Sequence, residues 1–145
     1  MPNSDSDHDR NRRVIQELRA NGGRVERSDG GLPLRYLILH TTGAKTKQAR
    51  EHPLAYQPVG DNFAVFASYG ASPTNPQWYH NLLAEPDAQI EVGTEIIDVR
   101  GRVLEGEERE RIWAEQKAYS PTFGEYEKMT ARTIPVVILE RRPKP

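Results

Sequence analysis

No cysteine occurs in the 145 residues, which excludes disulfides, thiolate catalysis and cysteine-ligated metals. Long apolar runs are missing as well. None approaches the ~20 residues that cross a bilayer, so no integral membrane segment is expected. The N-terminus, Met1-Pro2-Asn3-Ser4-Asp5-Ser6-Asp7, lacks the hydrophobic stretch of a signal peptide. Charge of one sign does not accumulate either: 20 Lys and Arg against 21 Asp and Glu leave a formal net charge of -1. Broad nucleic-acid affinity is therefore not expected. A 36% hydrophobic content beside 28% charged residues suits one domain with a real core and a charged surface. These absences predict a cytoplasmic protein. Peripheral contact is the only membrane association they leave open.

Against that near-neutral background, cations gather at one place. The stretch His40-Thr41-Thr42-Gly43-Ala44-Lys45-Thr46-Lys47-Gln48-Ala49-Arg50 follows the apolar run Tyr36-Leu37-Ile38-Leu39 and precedes Pro53-Leu54-Ala55-Tyr56. It reads as a strand, a Gly-centred turn with three cations, and a strand running back. Hydroxyls, backbone N–H groups and cationic heads on a stiff turn suit an oxyanion such as phosphate. The turn lacks the second glycine and the Gly-Lys-Ser/Thr ending of a P-loop. A plain solvated hairpin turn fits the same residues, and this segment alone leaves both readings open. His40 and His52 have no His/Asp/Glu spacing typical of a metal site, so no metal is expected and both read as structural groups.

The remaining periodicities predict a strand meander with a few helices. Residues 8 to 20 carry Val14, Ile15 and Leu18 as one narrow helical stripe, expected to lie on the domain surface. Residues 34 to 42 and 49 to 59 form the strands of the cationic hairpin. Gly60-Asp61 then turns tightly into a strand over 62 to 68. Asn75 reads as an N-cap and Pro76 as the first residue of a helix that ends at Pro86. Residues 89 to 92 and 95 to 104 make a hairpin whose Ile97, Val99 and Val103 alternate with Asp98, Arg100 and Arg102. A charged helix covers 105 to 119, and 135 to 140 is the last strand. Such a pattern predicts an α+β fold, a small antiparallel barrel with capping helices.

Three further blocks accompany the cationic turn: Phe63-Ala64-Val65-Phe66-Ala67-Ser68-Tyr69-Gly70, Asn75-Pro76-Gln77-Trp78-Tyr79-His80-Asn81-Leu82, and Tyr119-Ser120-Pro121-Thr122-Phe123-Gly124-Glu125-Tyr126, the last followed by Arg132-Thr133-Ile134-Pro135-Val136-Val137. In this order and spacing they resemble the deazaflavin-dependent nitroreductase family of actinobacteria, reductases that use coenzyme F420. The resemblance runs from about Gly30 to about Glu140. It implies the split β-barrel shared with FMN-binding oxidases, over residues 30–145, behind a charged N-terminal arm of residues 1–29.

The resemblance also implies roles. Lys45 and Arg50 would hold the anionic phosphodiester and glutamate tail of the coenzyme. Ala44, Thr46, Lys47 and Gln48 would flank them, with Pro53 on the returning strand. Lys47 stands where many relatives have Gly. Phe66, Ala67, Ser68 and Tyr69 would border the deazaflavin ring, Tyr69 replacing a Lys common in the family. From the helix, Gln77, Trp78 and Asn81 would complete the coenzyme site, although Asn81 suits a role bracing the turn equally well. Trp78 is expected at the cleft and Tyr79 in the core. Ser68 and Tyr126 are the candidate catalytic hydroxyls, and Ser120, Phe123 and Tyr126 would line the acceptor pocket. Nitroimidazole-reducing relatives carry tyrosines where Ser120 and Phe123 stand here.

The expected activity is transfer of hydride from reduced coenzyme F420 to a small planar acceptor such as a quinone, an enone or a nitroaromatic. Two alternatives keep the cationic turn: the same barrel binding FMN, and a non-catalytic module that carries the coenzyme. A purely structural interaction domain leaves the turn unexplained.

Overall fold

The computed structural model describes residues 4–21, 35–68 and 74–143. Within them, β1 (Tyr36–Thr42), β2 (Ala49–Val59), β3 (Asn62–Phe66), β4 (Asp87–Val92), β5 (Glu95–Val103) and β6 (Val136–Arg141) close an antiparallel barrel in the order β1-β2-β3-β6-β5-β4. Closure leaves no strand edge unpaired. Four helices accompany it: α1 (Ser4–Ala20), α2 (Gln77–Ala84), α3 (Gly106–Tyr119) and α4 (Pro121–Met129). This is the split-barrel α+β architecture.

The apolar residues sort into three layers. Leu37, Leu39, Val65, Ile90, Val99 and Leu139 point inward and are buried, and α2 adds Trp78 and Leu82 as a plug. On the outer face of β3 and β6, Ala64, Phe66, Val136 and Ile138 pack under Ile112, Trp113 and Phe123 of α3 and α4. Strands covered on both faces need apolar side chains at successive positions. That is why Phe63-Ala64-Val65-Phe66 and Val136-Val137-Ile138-Leu139 are continuous runs. The β2–β3 turn needs Gly60, whose φ of 60° lies in the left-handed region.

The stripe of α1 meets β1, where Ile15 and Leu18 pack on Ile38. Its last turn is tied down by charge. Arg19 is hydrogen-bonded to both carboxylate oxygens of Glu91 on β4, at 2.7 and 3.1 Å, and to Glu51 on β2 at 2.5 Å. His40 on β1 lies 2.5 Å from Glu91. The Arg19 hydrogen bonds are the main reason why the Glu91 carboxyl sits below its usual range. His40, Glu51 and Glu91 thus gather from three strands within 4.8 Å of one another, which linear spacing does not reveal, and the Arg19 guanidinium is paired with both carboxylates.

Three local expectations need correction. Asn75 does not cap α2: Pro76 is the N-cap residue, and the Asn75 side chain accepts a hydrogen bond from Arg132 instead. Residues 121–129 form a helix that no apolar periodicity marks, because Pro121 and Gly124 interrupt the pattern. Its signal is the pair Ser120-Pro121, a residue with extended backbone followed by Pro at the first helical position. Trp78 is the buried aromatic of α2, at 5% exposure, whereas Tyr79 is only half-buried. Trp78 fills the barrel interior, which a residue one step along the helix does not reach.

Candidate active site

An antiparallel barrel brings alternate strand ends to the same mouth. Here Thr42, Ala49, Phe66, Asp87, Val103 and Val136 share one end, as the registers Thr42↔Ala49, Phe66↔Val136, Asp87↔Arg100 and Val103↔Val137 require. The cationic turn, the residues after β3, the helix α2 and the link from α4 to β6 therefore converge there. They are distant in sequence and meet only because the barrel closes.

The turn is built tightly. Gly43 N–H donates to the Gln48 carbonyl at 2.8 Å, and Lys47 N–H to the Gly43 carbonyl at 2.9 Å. Thr46 Oγ1 accepts from Gln48 N–H at 3.2 Å. A Cβ on Gly43 would lie 2.5 Å from that hydroxyl, so any larger residue displaces the turn's own brace. Lys47 holds a φ of 59°. The left-handed region costs an L-residue on the order of 1 kcal/mol, a cost that glycine would avoid.

Asn81 anchors the turn to α2. Fully buried, it accepts from Ala44 N–H and from Gln77 Nε2, each at 3.0 Å, and donates to Thr41 Oγ1 at 3.0 Å. Thr41 in turn meets His52 Nε2 at 2.9 Å. Of the two roles open to Asn81, bracing the turn is the one its hydrogen bonds perform. Ala44 N–H and the Gln77 amide are engaged by the same contact. We expect Asn81→Leu to strip the part-buried Ala44 N–H of its acceptor, a loss of about 1–3 kcal/mol. Thermal unfolding should show the loss, and coenzyme titration should show weakened binding from a residue outside the turn. A variant that melts and binds like the parent would mean that the turn holds itself.

Lys45, Thr46, Lys47 and Gln48 are exposed and Arg50 is half-buried. Among the described residues, Lys45, Lys47 and Arg50 make no ion pair, and the N–H groups of Lys45 and Thr46 have no hydrogen-bond partner. The described carboxylates nearest in the ladder are engaged elsewhere, Glu51 with Arg19. Three uncommitted cations beside two uncommitted N–H groups form a donor set that fits the phosphodiester of a deazaflavin coenzyme. Pro53 faces Ile38 across the β1–β2 ladder, three residues beyond Arg50.

Across the mouth, Ala67 is buried in the barrel core with its N–H bonded to the Pro135 carbonyl at 2.9 Å, and Ser68 is 9% exposed. Tyr69 lies outside the described residues. Phe66 points away from the interior, into an aromatic cluster with Trp113 and Phe123. Phe123 stacks edge-on against Phe66 at 5.5 Å and Tyr126 at 5.6 Å, so it is held in the α3–α4 layer. Ser120 is buried at the joint between the two helices, and its hydroxyl has no partner among the described residues. Tyr126 alone of these three remains half-buried.

A separate cavity of about 200 Å³ opens beside the C-terminal half of α2, lined among others by Tyr79, Leu82, Leu83, Pro86, Val103 and Val137. None of the sequence-nominated residues lines it. Arg132, which bridges Ser68 and Asn75, was not singled out from sequence because nothing in its linear context marks it as a bridge.

A family model described as F420H(2)-dependent quinone reductase matches residues 10–141. An F420H(2)-dependent quinone reductase of Mycobacterium tuberculosis is 39% identical over 127 residues, covering 86% of this chain and 85% of that protein. A solved F420-H2 dependent reductase superposes with a TM-score of 0.67 at 38% identity, covering 72% of this chain and 93% of that one. A FAD-binding protein of Mesorhizobium loti, at 13% identity and a TM-score of 0.50 over 75% of this chain and 82% of its own, shares the fold alone. The chain belongs to the F420H(2)-dependent quinone reductase family, and it is an oxidoreductase whose cofactor is coenzyme F420.

Proposed function

We propose that the protein reduces quinones at the barrel mouth, with the coenzyme's anionic tail on the cationic turn. The observation that carries this reading is the set of uncommitted donors on Lys45, Thr46, Lys47 and Arg50, braced by Asn81 at the end where Ser68 emerges. When bound, the reduced deazaflavin supplies a hydride; the protein supplies binding, orientation and control of water. Lys45 and Arg50 bind phosphate and carboxylate oxygens, with Gln48 adding neutral contacts. Ala67, buried in the core, and Trp78 within the barrel support the backbone at Ser68 and α2 from behind. A quinone oxygen that gains charge needs a proton, and the hydroxyls of Ser68 and Tyr126 donate a hydrogen bond to it or orient water. Among the described residues no helix is long and apolar enough to cross a membrane. We place the reaction in the cytoplasm, with the acceptor a small quinone.

Steady-state oxidation of reduced coenzyme F420 with a panel of quinones tests the reading. We expect turnover with simple quinones and quenching of coenzyme fluorescence on binding. A protein that copurifies with FMN and binds no coenzyme F420, or that binds the coenzyme without turnover, would overturn it.

A further inference from the structure

Arg132 lies on the link between α4 and β6 and carries none of the roles assigned above. Its guanidinium donates from Nη1 to Asn75 Oδ1 at 2.7 Å and from Nη2 to the Ser68 carbonyl at 2.8 Å. Ser68 follows β3 directly, and Asn75 stands just before Pro76, the N-cap residue of α2. One planar group therefore grips both ends of the connection from β3 to α2. On the same link, the Pro135 carbonyl accepts from Ala67 N–H at 2.9 Å. The segment before β6 thus holds the exit of β3 at two points and the entry of α2 at one.

This arrangement suits arginine chemically. Its two terminal nitrogens present N–H groups at fixed angles, so one side chain can satisfy two acceptors from different elements. A lysine ammonium offers a flexible point donor and cannot reproduce the fork. Arg132 is half-buried, so the fork works partly out of water, where its hydrogen bonds are less diluted by solvent.

We infer that Arg132 is a positioning residue for the reductase reaction. It fixes the backbone at Ser68 and the start of α2, and so holds the Ser68 hydroxyl in register with Gln77, Trp78 and Asn81. The inference deepens the proposed function and rests on it for its kinetic consequence, while its structural consequence stands apart.

The test compares Arg132→Lys and Asn75→Ala with the parent, using the full chain. Amide hydrogen exchange without ligand reports the clamp directly: Ala67 N–H, bonded to Pro135, and Tyr79 N–H, bonded to Pro76 at 3.1 Å, should exchange faster in both variants. In steady state, kcat with a quinone should fall about tenfold or more, because misplacement by about 1 Å can cost up to 10²-fold. The coenzyme dissociation constant should change less than about threefold, since Lys45 and Arg50 sit on a different connection. The double variant should lose less than the product of the single losses, because both remove the same clamp. Parental exchange at Ala67 and Tyr79 would overturn the inference, and so would parental kcat in Arg132→Lys. Asn75→Ala removes only one acceptor, so it keeps the test decisive if Arg132→Lys folds poorly. If the parent binds no coenzyme, the proposed function fails, and the exchange result still decides the clamp.

Discussion

Lys45→Ala and Arg50→Ala are each expected to raise the dissociation constant for coenzyme F420 about ten- to a hundredfold. Each variant loses a hydrogen bond between charged groups, worth about 1.5–3 kcal/mol. Neither residue makes an ion pair among the described residues, so removing its charge leaves no carboxylate stranded. Thermal stability should therefore stay near the parent's, unlike in Asn81→Leu. The loss should shrink for a coenzyme fragment without phosphate and glutamates, because the interaction then has no anion to act on. It should also shrink in high salt, since Lys45 is exposed and Arg50 only half-buried. Fluorescence titration at two ionic strengths measures all three. Unchanged affinity in both variants would remove the phosphate site from the cationic turn.

Bulky bicyclic nitroimidazoles are expected to turn over weakly or not at all, while simple quinones react well. Hydride reduction of a nitro group builds negative charge that needs donors placed in advance, and losing one such donor can cost about 10²–10³ in rate. The resemblance to nitroimidazole-reducing deazaflavin enzymes implies tyrosines at the positions of Ser120 and Phe123. In this chain Phe123 has no hydroxyl and is packed among Phe66, Trp113 and Tyr126. The Ser120 hydroxyl is buried at the α3–α4 joint. Phe123 therefore supplies no donor, and Ser120 supplies one only if the helical layer moves, which leaves Tyr126. A quinone is intrinsically easier to reduce and asks less of the protein. Parallel assays with both acceptors and reduced coenzyme decide the point. Fast nitroimidazole turnover beside slow quinone turnover would show that these positions do not control acceptor choice.

Much of this was legible in the residues themselves. Strand boundaries followed from alternation and from Gly60 and Gly93, because a local turn and a period of two are properties of neighbouring residues. The continuous apolar runs at β3 and β6 are explained only by the structure, in which the barrel interior covers one face and α3 and α4 the other. The cationic turn was equally visible, since Gly43, Lys45, Lys47 and Arg50 lie within eight residues of one another. α4 was not legible, because Pro121 and Gly124 mask a helix that is held in place mainly by Phe123 packing into a remote aromatic cluster.

What the tertiary structure alone decided is how these pieces are held. Composition could not show that Asn81 commits its amide to Ala44 and Thr41 as well as to Gln77, because the first two contacts span 37 and 40 residues and depend on barrel closure. The same is true of Arg19 against Glu51 and Glu91, and of Arg132 against Ser68 and Asn75. A polar side chain's type limits what it can bind, and sequence reveals that limit. Its partner is chosen by which strand ends share a mouth, and that is settled only when the last strand, β6, pairs with β3 and β5.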